Sequence, residues 1–99
     1  MAAEKRRISP IVSVAHNDND SGFVIDVDLV GASKESVDLD MGTSGFCVKA
    51  EGEDFRYEAC YMLAHDVRAS EAKAKFSSGL LKIEVPFKED TRGTKVAVT

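Results

Sequence analysis

The sequence predicts an all-β fold, an antiparallel sandwich of two stacked sheets. Apolar and polar residues alternate in several short stretches, turn-forming residues separate those stretches, and helical spacing of apolar residues is hard to find. A period of two places successive side chains on opposite faces of a strand, so each stretch would bury one face and expose the other. Several short strands with frequent turns are typical of a sandwich or barrel.

The length and composition indicate one globular domain. The chain has 99 residues, of which 43% are hydrophobic and 30% are charged, and this balance is unlike that of a disordered segment. A domain of this size buries roughly two-thirds of the surface that its unfolded chain exposes, so we expect it to fold without metals or disulfides as staples. We expect a flexible arm at residues 1 to 9, the sandwich at residues 10 to 87 and a C-terminal extension at residues 88 to 99.

Charge and hydropathy exclude two classes of partner. The formal net charge of -4 repels phosphate backbones, and the single basic cluster is the short Lys5-Arg6-Arg7, so we expect no nucleic acid. The apolar runs are far shorter than the roughly 20 residues that span a membrane, and Met1 to Pro10 lacks the apolar region of a secretory signal. We therefore expect no membrane partner and a cytoplasmic location.

The first two predicted strands lie on either side of a polar turn. Ile11 to His16 is the first, with its facing left open, and the turn is Asn17 to Gly22. The second strand has Asp26 and Asp28 on its solvent face. Its buried face would consist of Phe23, Ile25, Val27 and Leu29.

Two hairpins follow in the middle of the chain. Val37 to Met41 and Phe46 to Ala50 alternate on either side of the turn Gly42 to Gly45, which predicts the first hairpin. Glu51 to Asp54 then leads directly into a longer stretch, Phe55 to Met62, which predicts the second.

The last third contains one ambiguous element and one clear strand. Glu71 to Phe76 has the alternation of a strand, and a short helical turn is the competing interpretation. A turn at Ser77 to Gly79 precedes the strand Leu80 to Pro86, in which Leu81, Ile83 and Val85 would face inward. Val96-Ala97-Val98 is either a frayed tail, a last edge strand, or an extended segment that docks in a groove.

Reactive side chains are too few and too scattered to predict catalysis. Cys47 and Cys60 form no CxxC and are expected to be two reduced, partly buried thiols. His16 at a strand end and His65 in a loop are expected to be surface residues. We therefore predict no enzyme, no catalytic residue, no metal and no cofactor; a small hydrolase using either histidine is the competing enzyme hypothesis. Four aspartates on outward strand faces are assigned to solubility: Asp26, Asp28, Asp38 and Asp40.

Several local motifs resemble one family. Ala74 to Leu81 matches the pattern A-x-x-x-x-G-x-L, and Leu81 to Pro86 continues as L-x-I-x-V-P. Phe23 to Gly31 and Tyr61 to Val67 resemble two further strand ends, with Val30 and Ala64 where prolines are usual. From about residue 17 to residue 87 the chain therefore resembles the α-crystallin domain of the small heat-shock proteins, an immunoglobulin-like β-sandwich.

The resemblance implies a function and a site. It implies an ATP-independent chaperone, or holdase, that binds unfolded or partly folded proteins, and that forms a homo-dimer or small homo-oligomer. The tail residues Val96 and Val98 match the family's C-terminal I-x-I/V motif, which docks in a groove between two strands. On those strands the groove residues would be Val37, Leu39, Met41, Ala72, Ala74 and Phe76.

One departure from the family concerns assembly. The family carries a longer segment with a dimerisation strand where this chain has only Glu51 to Asp54, and four residues cannot reach a neighbouring subunit and return. Strand-swapped dimerisation is therefore not expected. The CS-type domain of certain co-chaperones lacks the same segment, so an adaptor that binds one folded partner is the alternative function, although this chain has no Trp of the kind common in those domains.

Overall fold

The computed structural model describes residues 5–88 and 96–99, and strands dominate it. Single turns of 3-10 helix at Lys34–Ser36 and Ala69–Glu71 complete the regular structure of these residues. No helix among them is long and apolar enough to cross a membrane. The strands are β1 (Arg6–Ile8), β2 (Ile11–His16), β3 (Gly22–Asp28), β4 (Asp38–Met41), β5 (Gly45–Glu51), β6 (Phe55–Met62), β7 (Lys73–Ser77) and β8 (Leu80–Pro86).

Two four-stranded sheets pack face to face, so the predicted all-β sandwich is confirmed. Their strand orders are β1-β6-β5-β4 and β2-β3-β8-β7. Every pairing is antiparallel except that of β1 with β6, which is parallel. The core between the sheets consists of Phe23, Ile25, Val27, Leu29, Phe46, Val48, Ala50, Val67, Leu81, Ile83, Val85 and Phe87.

The inward faces are those that the alternation predicted. On β3 and just after it, Ile25, Val27 and Leu29 are completely buried, and on β8 Ile83 is as well. Burying one such aliphatic side chain contributes about 1.5–3 kcal/mol. This repeated burial holds the two sheets together, and both predicted central hairpins, β4–β5 and β5–β6, form in the expected antiparallel register.

The β7–β8 hairpin resolves the ambiguous segment. The segment Glu71 to Phe76 is predicted to be a strand, with a short helical turn as the alternative. A strand is present at Lys73–Ser77, and a 3-10 turn precedes it. Ser78 and Gly79 connect the strands with φ values of 51° and 83°, the combination of a type I′ turn that matches the twist of a hairpin. The Gly79 carbonyl accepts a hydrogen bond from the Leu29 N–H at 2.7 Å, which joins this turn to the end of β3.

The start of the chain differs from the expected flexible arm. Arg6–Ile8 forms a strand on β6, and the Arg6 N–H donates to the Asp54 carbonyl at 3.2 Å. Ion pairs join Lys5 to Glu51 at 3.4 Å and Arg7 to Glu58 at 3.7 Å. These contacts explain why a basic, non-alternating stretch forms a strand. Residues 1–4 of the proposed arm and 89–95 of the proposed extension lie outside the described residues.

The prediction of two reduced thiols is wrong. Cys47 and Cys60 are joined by a disulfide, and the register of β5 with β6 places them directly opposite each other with Cα atoms 4.0 Å apart. The signal was present in the sequence. A hairpin with a connection as short as Glu51 to Asp54 fixes which residues face each other, and this register pairs residue 47 with residue 60.

Candidate functional site

The margins of the two sheets define the candidate site. Only Ser9 and Pro10 separate β1 from β2, although these strands belong to different sheets, so their edges must lie on the same side of the sandwich. The Tyr61 hydroxyl donates to the Pro10 carbonyl at 3.0 Å and holds this side together. With four strands in each sheet, β4 and β7 lie on the opposite side. We call the space between them the β4–β7 groove, and its predicted residues are Val37, Leu39, Met41, Ala72, Ala74 and Phe76.

The β4 wall is apolar on its inner face and charged on its outer face. Leu39 and Met41 are half-buried and pack against the core, where they lie opposite the buried Val48 and Phe46 of β5. Val37, which immediately precedes the strand, packs against the core in the same way. The intervening Asp38 and Asp40 are exposed. Val37, Leu39 and Met41 therefore lie along the inner side of the β4 wall, and their role in binding stays a prediction.

The β7 wall contains an apolar side chain that faces inward but is not covered. Ala72 and Phe76 are half-buried against the core. Ala74 lies opposite Ile83, whose side chain is completely buried, and therefore points to the inner face. Ala74 is nevertheless exposed. The described part of the chain thus leaves the inner face of β7 open at this point.

Both walls are also the last strands of their sheets. Within the described residues, β4 pairs only with β5, and β7 pairs only with β8. The outward N–H and C=O groups of such an edge can pair with an added extended segment. Apolar inner faces next to polar backbone edges are what an extended peptide with alternating apolar side chains requires.

The predicted docking tail lies away from the groove in this structure. Val96 and Val98 are 81% and 95% exposed, and residues 96–99 have no regular secondary structure. Docking of Val96 and Val98 in the β4–β7 groove therefore stays a prediction. It covers docking in the groove of the same chain and docking in the groove of a second copy.

The two histidines lie together at one end of the sandwich, which the sequence did not indicate. Their ring centroids are 5.6 Å apart, and both rings contact Phe23 and Phe87 at centroid distances of 5.1–5.9 Å. Pairing of His16 with Phe23 and a bridge between Val67 and Phe87 bring the four rings together. The imidazole of His16 also hydrogen-bonds the Asp20 carboxylate. The arrangement is an aromatic cluster, and the described residues contain no group of three His, Cys, Asp or Glu that could hold a metal.

Two of the four outward aspartates are only partly solvated. Asp38 and Asp40 are exposed, whereas Asp26 and Asp28 are half-buried. Asp28 accepts a hydrogen bond from the Val30 N–H at 3.2 Å. One carboxylate oxygen of Asp26 is buried without a hydrogen-bond partner among the described residues, because β2 and β8 flank it on both sides.

Comparison with known proteins identifies the fold. No protein-family model and no curated protein match the sequence. Among solved structures, heat shock protein 16.0 from Schizosaccharomyces pombe is similar, with a TM-score of 0.73, 18% identity, and coverage of 94% of this chain and 77% of that one. A small heat-shock protein from Xylella fastidiosa has a TM-score of 0.68 and 18% identity over 93% of this chain and 97% of its own.

A third similar structure comes from a virus. The small heat shock protein from Synechococcus phage S-ShM2 has a TM-score of 0.63 and 19% identity over 91% of this chain and 98% of its own. The chain therefore has the β-sandwich fold of the small heat-shock proteins, as its motifs implied.

Proposed function

We propose that this chain, which has the sandwich fold of the small heat-shock proteins, is an ATP-independent holdase that binds partly unfolded polypeptides in the β4–β7 groove. The observation that carries the proposal is the exposure of Ala74, an inward-facing apolar residue between two edge strands. A groove that remains open along its apolar wall is available to another chain.

The chemistry of an unfolded client fits this groove. Such a client exposes apolar side chains and unpaired backbone groups, which are also the features that drive aggregation. Leu39, Met41 and Phe76 supply half-buried apolar contacts, and the edges of β4 and β7 supply backbone donors and acceptors. Backbone pairing does not depend on the client's sequence, so one groove serves many clients without a covalent step.

The expected affinity is modest, which suits reversible holding. Each apolar side chain that a client buries contributes about 1.5–3 kcal/mol, and ordering each extended residue costs about 1–2 kcal/mol. Burial of a few apolar client side chains therefore only slightly exceeds the entropic cost of ordering the client segment. The net charge of -4 favours solubility of the loaded complex.

Assembly of the protein is proposed to use the same groove. Val96 and Val98 are apolar, separated by one residue and exposed, so in an extended tail both side chains point to the same side. In a homo-dimer or small homo-oligomer the tail of one copy would occupy the groove of another and would compete with clients for it.

A pair of substitutions on one strand tests the holdase proposal. Ala74→Glu puts a charge into the groove, and Ser77→Glu puts the same charge on the same strand, where Ser77 is exposed and faces outward. The assay is suppression of light scattering by heated, unrelated client proteins. We expect A74E to lose most of the protection and S77E to keep it, with both variants folded by circular dichroism. Equal protection by A74E and the unmodified protein would refute binding in the groove.

The alternative is an adaptor that binds one folded partner. The feature that favours it is the short β5–β6 connection of residues 52–54, which CS-type domains share. A single stoichiometric partner in a pull-down, together with no suppression of aggregation, would favour the adaptor over the holdase.

A further inference from the structure

The Cys47–Cys60 disulfide lies on the outer face of the β1-β6-β5-β4 sheet, away from the groove. Cys60 is exposed and Cys47 is half-buried. Their neighbours Val48 and Ala59 face the opposite side, toward the core. Of the two cysteine residues, Cys60 on β6 is therefore the more accessible to solvent.

The hydrogen-bond pattern places Cys60 on an open edge. The Gly52 N–H donates to the Phe55 carbonyl at 2.9 Å, and the Leu63 N–H donates to the Ser44 carbonyl at 2.9 Å. Hydrogen-bonded and non-hydrogen-bonded pairs alternate along an antiparallel ladder. When the pairs are counted inward from either end of the β5–β6 ladder, Cys47 and Cys60 form a non-hydrogen-bonded pair. The N–H and C=O of Cys60 therefore point away from β5.

β1 does not extend far enough to cover that edge. It pairs with β6 only from Phe55 to Tyr57, after which Ser9 and Pro10 lead to the other sheet. Among the described residues no strand pairs with Cys60 on its outer side. An incoming extended segment could therefore add to β6 here.

The geometry of substitution favours attack at Cys60. A thiolate displaces one sulfur of a disulfide from the side opposite the leaving sulfur. Because Cys47 lies on the β5 side of Cys60, the path to the Cys60 Sγ comes from the open edge. The path to the Cys47 Sγ comes from β4, where Asp40 lies directly opposite Cys47 on the same face. The Asp40 carboxylate repels a thiolate on that path, whereas the Glu58 carboxylate near Cys60 is paired with Arg7 at 3.7 Å.

The surroundings accommodate a small peptidic thiol. A cavity of about 470 Å³ beside the disulfide is lined by the basic Arg7 and Lys49 and the acidic Asp40 and Glu58. Arg7 and Glu58 pair with each other at 3.7 Å, so Lys49 and Asp40 are the lining charges that can pair with a carboxylate and the amine of such a molecule.

We propose that the Cys47–Cys60 disulfide is a thiol-exchange site, at which an external thiol forms a mixed disulfide with Cys60. The thiolate sulfur bonds to the Cys60 Sγ, the bond between Cys60 and Cys47 breaks, and Cys47 leaves as a thiolate that takes a proton from water. Attack by the Cys47 thiolate on Cys60 reverses the step and releases the thiol. No other oxidant or reductant is consumed, and the proposal does not depend on the holdase function.

Such a site is compatible with the predicted cytoplasmic location. Disulfides in the cytosol are usually transient and either catalytic or redox-sensing. Exposed disulfides are more easily exchanged than those buried in a core. The cytoplasmic location stays a prediction. In that compartment the Cys47–Cys60 disulfide would take part in thiol exchange at Cys60.

Mapping of the mixed disulfide tests the proposal. The oxidised chain is incubated with excess glutathione, quenched with an alkylating reagent, and digested for mass spectrometry. We expect glutathione predominantly on Cys60 and the alkyl group on Cys47. The proposal would be overturned if glutathione were found predominantly on Cys47. It would also be overturned if the native chain formed no adduct while the denatured chain did, or if the native chain had free thiols before treatment.

Asp40→Asn is the matched test of the directing role. Asn has nearly the same size as Asp and carries no charge, so we expect a several-fold rise in the fraction of adduct on Cys47. An unchanged ratio would show that the carboxylate does not direct the attack.

Two peptides distinguish the sources of the thiol. One has a single Cys within a β-forming segment, and the other has Pro on both sides of the Cys and cannot pair with β6. An exchange rate several-fold higher for the first peptide assigns protein thiols as the co-reactant. Equal rates assign small thiols, which need no strand addition.

Discussion

Tyr57 on β6 donates a hydrogen bond from its hydroxyl to the carbonyl oxygen of Val30 at 2.8 Å, and this bond joins the two sheets. Val30 lies just after β3, in the other sheet's part of the chain, and it is 27 residues from Tyr57 in the sequence. The Tyr61 hydroxyl makes a similar bond to Pro10. Each of these tyrosines places its ring on the inner face and uses its hydroxyl to satisfy a carbonyl outside the ladders.

Removing either hydroxyl tests the value of these links. We expect Tyr61→Phe to lower the free energy of unfolding by about 1 kcal/mol, because its bond to Pro10 is partly buried. Tyr57→Phe should cost less, because water can replace a hydroxyl at its exposed bond. Urea denaturation of the two variants provides the measurement. A larger loss for Y57F than for Y61F would contradict this ranking.

Core packing predicts a contrast between two conservative changes. Ile83→Val removes one methyl group from a completely buried side chain and should cost about 0.5–1.5 kcal/mol. Ile11→Val removes the same group from a side chain that is 75% exposed, where changes usually stay within about 0.5 kcal/mol. Thermal and chemical unfolding should separate the two, and similar losses would mean that the assigned inner face of β8 is wrong.

The β7–β8 turn predicts two effects of opposite sign. Gly79→Ala places a Cβ at a φ of 83° and 3.0 Å from the Val30 Cα, which should cost about 1–3 kcal/mol. Ser78→Asn should raise stability by a few tenths of a kcal/mol, since Asn tolerates positive φ better than Ser. Denaturant midpoints measure both, and a tolerated G79A would refute the type I′ geometry.

The alternation of apolar residues predicted most of the fold because it reports a local property. Phe23, Ile25 and Val27 could be assigned to the core without any knowledge of their partners, since strand geometry alone separates the two faces. Arg6–Ile8 could not be assigned, because a three-residue strand has no measurable period and its partner strand β6 lies far along the chain.

The candidate site divides in the same way. The strands that carry Leu39 and Met41 and Ala72 to Phe76 followed from alternation, whereas the assignment of these residues to a groove came from the family resemblance. The neighbourhood of His16 and His65 was not predictable, because it depends on a bridge between Val67 and Phe87 that joins separate parts of the chain. The Cys47–Cys60 disulfide was predictable from the sequence. The prediction requires each residue of β5 to be paired in turn with its partner on β6, which places residue 47 opposite residue 60.

The disulfide predicts a redox-dependent stability. It joins residues separated by 13 positions, and closing a loop of this size stabilises a protein by about 2–4 kcal/mol in the chain-entropy model. Reductant should therefore lower the free energy of unfolding by a similar amount, measured by denaturation with and without reductant. The Cys47→Ser, Cys60→Ser double variant is the control and should show no dependence on reductant. A stability that reductant does not change in the unmodified chain would contradict the prediction.

The tail predicts a change in assembly mass. Val96→Ser together with Val98→Ser removes two exposed apolar side chains without touching the core, and should lower the mass found by size-exclusion chromatography with light scattering. Val96→Ile with Val98→Ile keeps the apolar character and should preserve the mass. Identical masses for all three proteins would exclude docking of the tail between copies.

The Ser9–Pro10 link is the shortest connection between the two layers of the sandwich within the described residues. Where β1 passes into β2, two residues join the layers and the proline ring fixes its own φ, so the layers cannot separate there. The β4 and β7 margins are reached through the much longer connections of residues 29–37 and 63–72. Any change in the spacing of the two layers is therefore smallest at the Ser9–Pro10 corner and largest at the β4 and β7 margins.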